Sequence, residues 1–95
     1  MSLKIAASSL FTKHYLIVDS KGVKFYETSA FGSPKRFPFS RIECVLMSPD
    51  NKLSFQVGNE VFSIPTKPND VKHQAAINAL LQEVHRSATG GLAPL

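Results

Sequence analysis

Apolar positions along the chain follow two rhythms. Through residues 14–65 they mostly alternate with polar ones; from about 69 to 87 they recur at helical spacing. "HYLIVD" (14–19) is β-branched and aromatic, and it ends at Asp19-Ser20-Lys21-Gly22. "VKFYET" (23–28) follows, with Val23 and Phe25 facing one way and Lys24 and Tyr26 the other. Two such runs around a glycine-containing turn predict a hairpin. Residues 29–35, "SAFGSPK", read as a loop on Gly32 and Pro34. Leu53, Phe55 and Val57 alternate with Ser54 and Gln56, a half-buried strand. Gly58-Asn59 then predicts a two-residue hairpin turn into Val61–Ile64, because both residues tolerate positive φ.

The segment "KRFPFSRIECVLM" (35–47) breaks the alternation. Phe37 and Phe39 share one parity, whereas Ile42, Cys44 and Leu46 share the other. A strict strand cannot change its buried face, so a bulge or tight turn is expected at Pro38–Arg41. Pro38 has no N–H to give a ladder and suits an edge or bend. Beyond Ile42, the alternation puts Ile42, Cys44 and Leu46 on one face and Glu43, Val45 and Met47 on the other. Ile77, Leu80, Leu81 and Val84 then form the stripe of an amphipathic helix. Asn69 or Asp70 caps its start, and His85 and Arg86 suit its negative end. Antiparallel strands followed by one helix imply a twisted sheet whose apolar side the helix covers. Residues 1–11 read either as an added strand or as an unstructured lead.

The runs "YLIVDSKGVKFYE" and "RFPFSRIECVLMSPDNKLSFQVGNEVFSIP", with the helix "NDVKHQAAINALLQEVH", resemble a pleckstrin-homology-like domain. The resemblance is to the small bacterial, GRAM-like kind and covers about residues 14–87. It implies a mainly β fold with one C-terminal α-helix: a bent antiparallel barrel of six or seven strands, capped by helix 69–87. Residues 1–88 would form the single domain and 89–95 a loose tail. Hydrophobic pattern carries the likeness, so it speaks to fold before function.

Composition narrows the function classes. Ninety-five residues, 43 % hydrophobic with seven Phe, suit one globular domain. The formal charge of +4 tilts toward anionic partners, though the bases are scattered. Cys44 is the single cysteine, so no internal disulfide and no multi-cysteine metal site is expected. No apolar run approaches the roughly 20 residues that span a bilayer, and "MSLKIAASSLF" makes a poor signal peptide. A cytoplasmic protein, at most peripheral to a membrane, is expected.

Five chemistries can be weighed. Lipid-binding members of the resembled family carry a basic cluster on the first hairpin. The matching positions here are Lys13, Lys21, Gly22 and Lys24, with the Lys21 and Gly22 amides offered to a phosphate. No arginine falls in residues 1–35, so a solvated hairpin, or weak salt-sensitive contact with anionic membrane, is the expectation. Lys35, Arg36 and Arg41 form a second basic patch that can equally guard a strand edge. Phe11, Tyr15, Tyr26, Phe31 and Phe37 could in principle stack bases, but core packing explains most of them at their strand positions, and nucleic-acid binding is not expected. Catalytic motifs are absent, and His73 and His85 lie roughly 18 Å apart on one helix. No enzyme activity, cofactor or metal is expected, and Cys44 reads as an inert buried thiol. Val45 and Met47 face away from Ile42 and offer an interaction surface. The expectation is a non-enzymatic protein-interaction adaptor or scaffold, binding an unknown protein or itself. The alternative is peripheral binding to anionic lipid headgroups through the first hairpin.

Overall fold

A computed structural model of the chain describes residues 2–8, 12–27 and 34–88. The alternating segments form β1 (Leu3–Ser8), β2 (Lys13–Asp19), β3 (Gly22–Glu27), β4 (Lys35–Phe37), β5 (Ile42–Met47), β6 (Lys52–Val57) and β7 (Glu60–Pro65). Helix α1 (Val71–Ala88) closes the fold. Strands β1–β4 make one antiparallel sheet in chain order, and β5–β7 make a second. "LKIAA" is therefore an added strand. Lys35 opens β4 rather than ending a loop; the rest of the expected 29–35 loop lies largely outside the described residues, as do Phe11, Phe31 and the 89–95 tail.

Chain direction changes where the parity changes. Pro38 (φ −67°, ψ 152°) leads into a 3-10 turn, Phe39–Arg41, closed by the Arg41 N–H on the Pro38 carbonyl at 3.0 Å. Phe39 and Ile42 are both buried across this turn, which carries the chain from the larger sheet to the smaller. A second irregularity was not expected. The β5–β6 register slips between Ile42 and Cys44, pairing Ile42 with Val57 but Cys44 with Gln56. One slipped residue inverts the faces beyond it. Ile42 stays in the core, Val45 turns inward, and Cys44 and Leu46 turn out.

The core lies between the sheets. Ile5, Leu16, Val23 and Phe25 come from the larger sheet, Leu53, Phe55 and Ile64 from the smaller, and Ala76, Ile77 and Leu80 from α1. Each large apolar side chain so buried contributes roughly 1.5–3 kcal/mol of transfer free energy. The helix rests on β1, β2, the 3-10 turn and β5, bridging an edge of each sheet. A second joint is aromatic. Phe25 and Phe37 meet Phe55 and Phe62 at ring-centroid distances of 5.2–6.3 Å. Among the described residues no strand pairs from one sheet to the other, so side-chain packing, the bridging helix and the Pro38–Arg41 turn join the sheets.

The helix begins at Val71, after the expected position 69, because Asp70 is its cap. Asp70 Oδ1 accepts the N–H groups of Lys72 (2.9 Å) and His73 (3.2 Å). His73 is buried, and its Nδ1 accepts the Lys67 N–H at 3.0 Å. That bond leaves the proton on Nε2 in the neutral ring and ties the exit of β7 to the first helical turn. The buried stripe is His73, Ala76, Ile77 and Leu80, with Val84 half-buried; Leu81 lies at its solvent margin.

Candidate functional site

Two solvent-facing sheet surfaces carry some of the side chains singled out in the sequence. The larger sheet comes first. Leu16, Val18, Val23 and Phe25 point inward, so the alternate residues of β1–β4 face solvent. Registers place Lys4 beside Ile17, Ile17 beside Lys24, and Lys24 beside Arg36. These four residues form one row across all four strands. The next row holds Ala6, Tyr15 and Tyr26, and Lys13 stands beyond it beside Ser8. The two tyrosine rings stack with centroids 4.8 Å apart and planes 21° off parallel. Lys4 Nζ lies 4.5 Å from the Tyr15 centroid, and Lys24 Nζ lies 5.6 Å from that of Tyr26.

Asp19 locks the β2–β3 turn at the end of this face. Its Oδ1 accepts the N–H groups of Lys21 (2.9 Å) and Gly22 (3.1 Å), and its Oδ2 lies 3.4 Å from Arg36 Nη1. The two amides offered to a phosphate in the sequence reading thus already have an acceptor, and Gly22 is buried. The Lys21 amide foremost, with the Arg36 guanidinium and the Gly22 amide, holds the Asp19 carboxyl below its ordinary range. The Ser48 hydroxyl does the same for Asp50, and the His73 amide for Asp70. A carboxyl depressed in the folded state stabilises the fold above its unfolded pKa, about 3.9 for Asp. That stabilisation is lost as pH falls through the folded value. The urea midpoint should therefore drop on acidification from neutrality to below about pH 4. Asp19→Asn should lower the midpoint at neutral pH and shrink the acid-induced drop. An equal drop in both proteins would show that Asp19 is not responsible.

The remaining bases scatter. Lys21 sits exposed on the turn. Lys35, on the edge strand β4, reaches Glu60 of β7 at 3.4 Å and lies 5.2 Å from the Phe62 centroid, across the aromatic joint. Arg41 is exposed on the 3-10 turn. So Lys13 and Lys24 share a face with Arg36, whereas Lys35 and Arg41 belong elsewhere. Neither basic patch of the sequence reading survives as drawn.

Comparison with protein-family models, curated proteins and solved structures finds no match to this chain.

The smaller sheet supplies the second surface. Through the slipped register, its outer face carries Cys44 and Leu46 on β5, Ser54 and Gln56 on β6, and Val61 and Ser63 on β7. Ser54 and Ser63 join their hydroxyls at 2.8 Å. Leu46 and Val61 are 64 % and 65 % exposed and, with half-buried Cys44, line a shallow depression of about 50 Å³. The expected surface of Val45 and Met47 is corrected accordingly. Val45 packs against the core, and Met47 lies opposite Leu53 at the sheet margin, partly exposed. Cys44 is not enclosed in the core either. Among the described residues, no three His, Cys, Asp or Glu side chains gather to hold a metal ion, and no helix is long and apolar enough to cross a membrane.

Sequence reasoning missed Lys4 and the pairing of Tyr15 with Tyr26. Alternation around Leu16 and Phe25 was enough to send both tyrosines outward. Their juxtaposition needed the β2–β3 register, which the two-residue Ser20-Lys21 turn sets.

Proposed function

We propose that this chain is a non-enzymatic, pleckstrin-homology-like binding module: a protein-interaction adaptor or scaffold that also pairs with a second copy of itself. Four strands, three strands and a terminal helix, in that order, support the family reading. The bend at Pro38–Arg41 turns the chain from one sheet to the next, as in a bent barrel, but the described strands form two separate antiparallel sheets and no closed barrel. The observation that carries the contact surface is the exposure of Leu46 and Val61 around one apolar depression. Apolar residues grouped on a sheet face mark a surface that a partner covers. Strands β5 and β7 border this face as sheet edges, and an edge can accept a further strand.

Sedimentation velocity over a wide concentration range tests the self-pairing. The weight-average mass should rise with concentration, and Leu46→Asp with Val61→Asp should return it to the monomer value. Both positions are exposed, so each substitution should change stability by no more than about 0.5 kcal/mol. A monomer at every concentration would overturn self-pairing. A double variant that still associates would exclude this face as the contact.

A further inference from the structure

We infer that the outer face of the larger sheet binds single-stranded nucleic acid, laid across the strands with phosphates on one row and bases on the next. This surface is separate from the apolar face of the smaller sheet.

A row of cations crosses the larger sheet. Lys4, Lys24 and Arg36 stand in one line across β1, β3 and β4, and Lys13 adds a base on β2. Adjacent strands are about 4.8 Å apart, so Lys24 and Arg36 stand one strand apart and Lys4 and Lys24 two. Like charges placed directly opposite on a sheet repel each other. Asp19 is the one acid on this face among the described residues, and it is engaged by the turn amides as well as by Arg36. The repulsion therefore lacks a full internal counterweight, and a polyanion supplies it.

A pair of tyrosines stands beside the cation row. Tyr15 and Tyr26 occupy adjacent strands at directly paired positions, next to the cation row. The lysines that rest on their rings are the same two that belong to that row. A cation–π contact at an exposed site is weak, and a phosphate competes well for the ammonium. Drawing Lys4 and Lys24 onto phosphates clears ring surface against which a base can stack. Single-strand binders combine these two features: a cationic track for the backbone and aromatic side chains for the bases.

Shape decides between occupants. A duplex buries its base faces and leaves the tyrosines nothing to stack on. An anionic lipid surface can seat tyrosines and lysines at its interface, but it presents its charge in a plane and offers no flat base to stack beside a line of phosphates. A single strand has charge along one edge and flat rings along the other, the same two lines.

Fluorescence anisotropy of a labelled oligothymidylate of ~15 nucleotides tests this, with a duplex of equal length and phosphatidylserine vesicles as the other arms. The single strand should bind at about 50 mM salt and weaken at about 200 mM, with a log–log slope of about −2 to −3. Lys24→Gln should reduce the slope magnitude by about 0.7. Tyr26→Leu should weaken binding about fivefold or more and leave the slope unchanged. Circular dichroism confirms that both variants are folded, and Lys4→Gln repeats the charge test away from the hairpin. Three results overturn the proposal: no oligomer binding at low salt, duplex bound as tightly as single strand, or vesicles bound while the oligomer is not. Wild-type affinity in Tyr26→Leu does so as well, since it reduces the face to an unspecific charge.

Discussion

Gly22→Ala is expected to destabilise the fold by about 3–5 kcal/mol, a large share of the whole stability of a domain this small. Gly22 adopts φ +147°, which L side chains rarely occupy. A Cβ built there would sit 2.1 Å from the Phe37 carbonyl oxygen and 3.0 Å from Pro38 Cα. Neither neighbour is a side chain that can swing aside. Phe37 is held in register against Val23, and Pro38 opens the 3-10 turn. The added methyl must push β3 and β4 apart at the point where the chain leaves the larger sheet. Gly58→Ala is the control. Its φ is +61°, but nothing lies within 4 Å of the new Cβ, so only backbone strain of about 1–2 kcal/mol is expected. Urea unfolding of both variants, with unchanged slope, gives the comparison. Equal losses would show that the close approach to Phe37 is not what requires glycine.

Phe55→Ala is expected to cost about 3–5 kcal/mol. Phe55 is 1 % exposed and stands at the aromatic joint between the sheets. It stacks on Phe62 at 5.3 Å and meets Phe25 and Phe37 edge-on at 6.0 and 6.3 Å. Such ring pairs add about 0.5–1.5 kcal/mol each beyond the buried area. The cavity opens among rings from both sheets, and the loss falls to the extent that the sheets close over it. Phe55→Leu keeps part of the volume and should recover more than half of the loss. Denaturation of the two variants and of a Phe62→Ala double variant measures the coupling, which should be strongly non-additive. Simple additivity would mean that the rings contribute independently and form no joint.

The sequence made the local elements legible and left their lateral placement hidden. Both two-residue hairpins, around Ser20-Lys21 and Gly58-Asn59, follow from alternation and turn chemistry within a dozen residues. The helix follows from its period and its Asp70 cap. The parity break at Pro38–Arg41 announces a bend. β1 was obscure because Ile5 is its one fully buried residue. The slip at Ile42/Cys44 left no local mark: the same letters read equally well with either face inward, and pairing with β6 decides between them. That single slip moved the β5 part of the candidate apolar surface from Val45 and Met47 to Leu46, beside Val61 of β7. Gly22 looked like a phosphate-binding amide, although Asp19, three residues before it, takes that N–H; the Phe37 carbonyl that requires a glycine there is distant in sequence. The cation row was invisible for a similar reason. Lys4, Lys24 and Arg36 come from three segments that only the sheet registers align.

Asp19 limits how this protein's surface can drift over generations. It is the acid on an otherwise basic face, and it is also the acceptor that shapes the β2–β3 turn. Losing it would raise the positive charge of that face in one step, but the same step would release the Lys21 and Gly22 amides. A more basic descendant must therefore gain cations elsewhere on the sheet, at outward positions such as Ala6 or Ser8, while keeping its aspartate.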